Sequence, residues 1–406
     1  MATTMRPIRD TVPFDEAVAR ILEHTPPIER TERIGLDVAM GRVLAGSITS
    51  QSDVPPFDRA AMDGYAVVAE DTFGAGRYAP RSLTCVETVY TGAVPTRALA
   101  SGQCSQIATG APMPDGASAV VMVEETERDA DTVRIFTPVY PGQHIGRKGA
   151  DIGVGRAVLS AGTVLNPSRI GALAALGLLD VDVYAQPRVS VLSTGDEIVE
   201  PGRPLDPGQI YDINRFTLGS IIPLHGGTVS RHPTALDDLD ALSDALDACL
   251  TDGDLVVFSG GSSVGERDLI LDALTAKGEV LFHGIAVKPG KPTVFGRVGR
   301  TPVLGMPGYP TSCLSNAYLL LVPMLRHMAR LPRHQPVTRT LPVGQRIVST
   351  TGRHQFYTVR IENGLAVPAF KASGDITSMS QADGYIEIPA QTDLVEKGET
   401  VDVKLF

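Results

Sequence analysis

The chain has 406 residues, 43% of them hydrophobic and 20% charged, with a formal net charge of −10. This is the composition of an ordinary globular protein, long enough for about two to four domains with cores of their own. The acidic balance excludes a broad nucleic-acid-binding surface, and the longest apolar run, at residues 318–325, is too short to cross a membrane.

In chain order, charges at Arg6, Arg9, Asp10, Asp15 and Glu16 occupy the stretch that a signal peptide keeps apolar. Cys85, Cys104, Cys249 and Cys313 form no C-x-x-C pair, which argues against a disulfide framework or zinc knuckle and fits a reducing cytosol. A cytoplasmic protein is therefore expected. Residues 14–22 have helical spacing. Residues 27–145 are rich in Val, Thr, Gly and Pro, with short runs at 83–90, 119–123 and 132–136 that predict a β-domain with tight turns. Residues 167–179 predict a helix capped by Asn166 with Pro167 at its first position. This helix is expected to pack with the first, making one domain of residues 1–26 and 146–182, interrupted by the β-domain of residues 27–145.

The pattern changes after residue 183. Strands are predicted at 188–192, 227–231, 255–258 and 301–304, and helices at 214–224, 236–250, 267–276 and 312–328. The helix of residues 236–250 places Leu239, Leu242, Leu246 and Cys249 on one apolar stripe. Strands alternating with helices predict a doubly wound parallel sheet over residues 183–332, whose ligands sit at the carboxyl ends of the strands. Three glycine-rich loops, 195–208, 259–265 and 305–310, all follow strands and are expected on one rim. Residues 333–406 return to short strands at 340–343, 356–361 and 385–389, which predicts a small C-terminal β-domain.

The rim loops carry the chemistry. Ser259-Gly260-Gly261-Ser262-Ser263-Val264-Gly265 joins a strand to a helix, the arrangement that cradles an anion with backbone N–H groups. Lys288-Pro289-Gly290-Lys291-Pro292 adds two ammonium groups on a stiffened loop, and Leu304-Gly305-Met306-Pro307-Gly308-Tyr309-Pro310-Thr311-Ser312 opens another helix. With Asp268 just past the first loop, these point to an anionic ligand and a metal. The plainer readings are solvated surface lysines and a helix cap at Ser312. None of the eight histidines has H-x-x-x-H spacing, so all read as structural or surface residues.

The motif Pro55-Pro56-Phe57-Asp58-Arg59-Ala60-Ala61-Met62-Asp63-Gly64-Tyr65-Ala66-Val67 resembles the signature of the MoeA / gephyrin E-domain family, the molybdopterin molybdenumtransferases. Further blocks agree in family order: Thr109-Gly110-Ala111-Pro112-Met113-Pro114, Arg147-Lys148-Gly149-Ala150-Asp151-Ile152, Ser193-Thr194-Gly195-Asp196-Glu197, the Ser259 loop, the Lys288 loop, and Pro307-Gly308 with Pro310. Together they cover nearly the whole chain. The fold class this implies is multidomain α/β: a parallel-sheet domain similar to the molybdopterin adenylyltransferases, a β-rich insert and a small C-terminal β-barrel-like domain.

The resemblance implies insertion of molybdate into adenylylated molybdopterin with release of AMP, using a divalent cation such as Mg²⁺. It also implies a homodimer in which one subunit's β-domain faces the other's sheet rim. Substrate would arrive from a molybdopterin adenylyltransferase, and product would pass to apo-molybdoenzymes. Lys288 and Lys291 suit the two anions. Asp58, Glu197, Asp268, Asp151 and one of Asp237 and Asp238 are the acids that could act at the reacting bond or hold the cation. The helix dipole alone also explains Asp237 and Asp238, and turn chemistry explains Asp63-Gly64 and Thr109. Substrate contacts are expected from Thr109, Asp151, Ser259, Gly260, Gly261, Pro307, Pro310 and Ser312. In the C-terminal domain they are expected from Arg353 and from Ser373 or Ser378. Departures from the family pattern at Ser262, Leu269, Tyr309 and Thr358 bear on pocket shape, and so on molybdate against tungstate. The alternatives are a molybdopterin adenylyltransferase, a tungstate-inserting paralogue and a non-catalytic scaffold of the gephyrin type. A scaffold could dispense with the acids and lysines, all of which are present.

Overall fold

The computed structural model describes residue 8, residues 10–260 and residues 269–406. Gly261 and Asp268 lie outside the described residues. The chain divides into two compact units, residues 1–32 with 184–406, and residues 33–183.

The first unit begins with helix α1 (Phe14–Glu23), which has Asp15 and Glu16 in its first turn and Arg20 in its last, as the helix dipole favours. The sequence grouped this helix with residues 167–179, but its buried Ala17 and Ile21 belong to the first unit. They enter a core with Leu325 and Met328, whereas the observed helix Pro167–Ala175 belongs to the second unit. The segment after α1 explains why: the Ile28 N–H donates to the Met328 carbonyl (2.9 Å) and Arg30 grips Asp254 with two 2.9 Å hydrogen bonds.

From residue 184 the α/β pattern builds β1 (Arg188–Ser193), α2 (Asn214–Leu224), β2 (Thr228–Arg231), α3 (Leu239–Asp252), β3 (Leu255–Ser259), α4 (Leu269–Lys277), β4 (Glu279–His283), β5 (Val287–Lys288), β6 (Val294–Val298), β7 (Thr301–Met306) and α5 (Pro310–Asn316). A π turn, Ala317–Leu321, leads from α5 into α6 (Val322–Met328). The six-stranded sheet runs β2-β1-β3-β7-β6-β4. The first four strands are parallel, and β6 and β4 are antiparallel additions at one edge. The sequence analysis missed that edge, because residues 279–283 and 294–298 flank the lysine loop instead of alternating with helices. Helix α3 starts three residues later than expected. Its Leu242, Leu246 and Cys249 are buried, but Leu239, at the first turn, is 38% exposed.

The C-terminal strands are β8 (Thr338–Pro342), β9 (His354–Glu362), β10 (Leu365–Pro368), β11 (Gly384–Ile388) and β12 (Thr400–Leu405). They form a sheet in the order β5-β9-β11-β12-β8, with β10 on β9. Strand β5 thus belongs to the C-terminal sheet although the chain around it belongs to the α/β part. Phe356 stacks on Tyr385 at 4.1 Å, and Tyr318 of the π turn packs against both rings. The C-terminal sheet is therefore seated on the α5–α6 helix by shared core.

In the second unit, a six-stranded sheet takes Ala119–Met122, Gly64–Val67, Gln103–Ile107, Arg81–Val89, Thr132–Ile135 and Thr126–Asp129 in that order. It covers the three runs expected from the sequence. Asn166 caps the helix Pro167–Ala175 by accepting from Arg169 N–H, as its sequence predicts. All four cysteines are buried and free, and burial pushes the thiols of Cys104, Cys249 and Cys313 up to about 12. No helix among the described residues is long and apolar enough to cross a membrane.

Asp254 offers a direct test of how the N-terminal segment is held. Burial alone would raise its carboxyl, but hydrogen bonds from Arg30 and Arg188 outweigh that and hold it below the usual range. A depressed folded-state value means that the stabilisation is present above the unfolded value and is lost as pH falls through the folded one. Asp254→Asn should cost about 1–2 kcal/mol at pH 7, since both guanidinium partners are near half exposed and screened. Urea midpoints should show that loss shrinking toward pH 3. A constant difference across that range would remove the ion pairs from the account.

Candidate functional site

Strands β1, β3 and β7 lie side by side, with Ser193 paired to Ser259 and Ser259 to Met306. Their glycine loops therefore leave one rim together, as expected. Thr194 N–H donates to Ser259 O (3.0 Å) and Gly260 N–H to Met306 O (3.3 Å). Gly260 has φ +110°, and a Cβ there would fall 2.3 Å from the Thr194 carbonyl oxygen. Only glycine lets these strand ends approach so closely.

A residue that the sequence analysis did not single out ties the loops together. Asn214, 7% exposed at the first turn of α2, donates its amide N–H groups to Ser259 Oγ (2.7 Å) and Gly308 O (2.8 Å). Asn next to Asp212 at a helix start looks like ordinary capping, and capping is indeed what Asp212 does for Arg215 N–H (3.0 Å). The other Asp212 oxygen, Asn214 Oδ1 and Thr194 Oγ1 are buried without a partner among the described residues. Buried polar atoms without partners are costly and rare, so this rim is chemically prepared for a ligand.

Glu197 and Asp237 lie on the same rim. Asp237 stays solvent-accessible. Partial burial of its carboxyl group, then the like charges of Asp196 and Glu197, raise its pKa, against an opposing hydrogen bond from the Asp196 backbone N–H; its own N–H donates to Asp196 Oδ1 (3.1 Å). The Glu197 carboxylate folds back over Gly195, where a Cβ would lie 2.7 Å from Glu197 Oε2. Asp238 is used differently: its Oδ1 accepts from the N–H groups of Asp240 and Ala241, both at 3.0 Å, and caps α3. Asp237 is thus the neighbour that faces the acids. Among the described residues no group of three or more His, Cys, Asp and Glu is arranged to hold a metal.

Lys288 sits on β5, where Val287 pairs with His354 and Lys288 with Gln355. Arg353, one residue before β9, precedes this register, and the next residue's N–H, that of His354, donates to Ala286 O (2.8 Å). The Lys288 ammonium donates to Thr350 Oγ1 (2.7 Å), and the Lys291 ammonium to the Ile8 carbonyl (2.6 Å). The two lysines share a loop but reach for different anchors. Ser312 does not cap its helix: α5 starts at Pro310, and Ser312 is buried two residues in. Thr311 binds the C-terminal loop instead, its N–H to Ser373 O (3.1 Å) and its hydroxyl to Asp375 O (2.9 Å). This places Ser373 against Pro307–Pro310. Ser378 is fully buried and accepts from Lys371 N–H.

The second unit gathers its own blocks. Asp58 accepts from Arg147 Nη1 (2.6 Å) and Lys148 N–H (2.8 Å). These two contacts, the Lys148 N–H first, hold its carboxyl below the usual range. Asp63 accepts from Thr109 N–H (2.6 Å), and Ala60 pairs with Ile145. Blocks around residues 58, 109 and 147 therefore meet, although the chain separates them widely. Asp151 is exposed beside them, its N–H on Val54 O.

Three family models match in order: "MoeA N-terminal region (domain I and II)" over residues 12–177, "Probable molybdopterin binding domain" over 190–327 and "MoeA C-terminal region (domain IV)" over 340–406. The chain belongs to the MoeA family. It is 34% identical to molybdopterin molybdenumtransferase 2 of Mycobacterium tuberculosis, over 98% of this chain and 99% of that one. It is also 34% identical to the molybdopterin molybdenumtransferase of Haemophilus influenzae, over 97% and 98%. A crystal structure of the molybdopterin biosynthesis MoeA protein of Pyrococcus horikoshii superposes with a TM-score of 0.85 at 40% identity, covering 98% and 99% of the two chains. The multidomain fold expected from the MoeA resemblance is thus the one found.

Proposed function

We propose that this chain is a molybdopterin molybdenumtransferase of molybdenum cofactor biosynthesis. The observation that carries this is the rim of β1, β3 and β7, where glycine-rich strand ends meet buried, unpartnered polar atoms beside the carboxylates of Glu197 and Asp237. The names of full-length relatives support it. The finer reading is transfer of molybdate to adenylylated molybdopterin with release of AMP. Lys288, Lys291 and Arg353 supply the positive charge that the molybdate dianion requires. Ser259, Gly260, Pro307, Pro310, Ser312, Ser373 and Ser378 line or support substrate binding. Asp58, Thr109 and Asp151 serve the same substrates from the second unit.

A Mg²⁺ ion suits the acids at the rim. Burial, and after it the like charges of Asp196 and Glu197, raise Asp237, and hard oxygen donors are what such an ion takes. Glu197 and Asp237, with Asp268, would hold it, and it would neutralise charge on the departing phosphate. A raised carboxyl stabilises the fold below its unfolded value and loses that contribution as pH rises through the folded one. Asp237→Asn should therefore raise the melting temperature of the metal-free protein at pH 7–8. It should also raise the Mg²⁺ concentration for half-maximal AMP release about tenfold or more. Equal Mg²⁺ dependence in both proteins would remove Asp237 from the cation site.

The chain is further proposed to act as a cytoplasmic homodimer, receiving substrate from a molybdopterin adenylyltransferase and serving apo-molybdoenzymes. Light scattering tests the dimer. For activity, protein supplied with adenylylated molybdopterin, molybdate and Mg²⁺ should release AMP and reconstitute an apo-molybdoenzyme. AMP transfer only from ATP to free molybdopterin, with the adenylylated substrate left intact, would overturn this reading.

A further inference from the structure

Asn316 is the last residue of α5, fully buried, and no motif marks it. Its Nδ2 donates to Gly290 O (2.9 Å) and to Thr293 Oγ1 (2.7 Å). Thr293, also fully buried, donates its hydroxyl to the same Gly290 carbonyl (2.9 Å). A threonine has one hydroxyl proton. Spent on Gly290, it leaves Thr293 Oγ1 as an acceptor, so the amide must present its NH₂ here. The orientation of Asn316 follows from the network.

The contact is close as well as polar. Gly290 has φ +106°, and a Cβ on it would fall 2.3 Å from Asn316 Oδ1 and 2.5 Å from Nδ2. The amide fills the space that a side chain at 290 would take. The loop therefore rests on Asn316 at its midpoint, between Lys288 and Lys291. The π turn begins at the next residue and adds one residue to the helical turn. Asn316 faces the lysine loop from one side of this insertion, and Tyr318, two residues on, meets Phe356.

We propose that Asn316, with Thr293, is a positioning residue that fixes the lysine loop so that its ammonium groups meet the oxyanion. This rests on the reading that Lys288 binds molybdate. A buried amide that only filled the core would support every ligand equally, or none. A loop clamp acts on the ligand of that loop alone.

The test is calorimetric titration of the full chain with sodium molybdate and, separately, with AMP. Asn316→Asp keeps the shape but replaces the Nδ2 donor with an acceptor facing the Gly290 carbonyl and the Thr293 hydroxyl. It should weaken molybdate binding about tenfold or more, since small misplacements of a binding group cost up to about a hundredfold, while AMP affinity stays within about twofold. Thr293→Val should weaken molybdate in the same selective way, and Thr293→Ser, which keeps the hydroxyl, should restore it. Thr293→Val carries the test if Asn316→Asp does not fold. Lys288→Ala is the control. If it binds molybdate like the wild type, the reading of the loop falls and this proposal with it. If Lys288→Ala loses molybdate while folded Asn316→Asp and Thr293→Val keep it, the positioning role alone is overturned. Equal weakening of molybdate and AMP would also overturn it, because Asn316 would then be general support.

Discussion

Lys288→Ala should lower AMP release about 10²–10³-fold at saturating adenylylated substrate, the cost of removing one preorganised group that stabilises developing negative charge. Stability should change little. Among the described residues the Lys288 ammonium has one hydrogen bond, to the Thr350 hydroxyl, and the side chain supports no core cluster. An uncharged partner at 2.7 Å leaves the ammonium with further donors to offer an anion. Lys291→Ala should behave differently. Its ammonium holds the Ile8 carbonyl, so the variant should lose about 1 kcal/mol as well as some activity. A solvated surface lysine, the plainer reading of its sequence, would leave stability nearly unchanged, and this contact with the N-terminal segment is why a loss is expected instead. Lys288→Arg should recover little, because a planar fork replaces a compact charge. Stopped-assay AMP release and urea unfolding on the same preparations separate the two lysines. Full turnover in Lys288→Ala would exclude that lysine from the reaction.

Much of this was legible because it is local. The helix Asn214–Leu224 was bounded from its own periodicity, and Asn166-Pro167 announced a capped helix start. The common rim followed from alternation of strands and helices, which forces parallel neighbours and gathers the loops at one end. What was not legible depends on long-range partners. Nothing in residues 14–23 says that Ala17 and Ile21 join the core of Leu325 and Met328. Asp237 and Asp238 are equivalent as letters, and only the cap geometry of α3 assigns one to the helix and leaves the other facing Asp196 and Glu197. Asn214 and Asn316 are each one polar letter among several in their helices. Their roles come from carbonyls about 94 and 26 residues away in the chain. A short polar residue in a helix reads as a cap or a surface position, and here both are buried fasteners of loops.

Gly260→Ala should be the most damaging single substitution on the rim. At φ +110° an L side chain is strained, and the new Cβ would stand 2.3 Å from Thr194 O and 2.9 Å from Thr194 Oγ1. The first of these is backbone carbonyl at the end of β1, which cannot rotate away. Relief requires parting β1 from β3 where Thr194 N–H bonds Ser259 O, or displacing the loop from Met306 O. Strain and overlap together should cost about 3 kcal/mol or more, and AMP binding should be lost even at urea concentrations well below the transition. Gly308→Ala, across the same gap, is the graded comparison. Among the described residues its Cβ would meet only Gly260 Cα at 3.4 Å, an ordinary contact distance, so folding should survive with at most a modest loss of affinity. If Gly260→Ala unfolded at the wild-type urea midpoint and bound AMP normally, the close approach of the two strand ends would not be what shapes this rim.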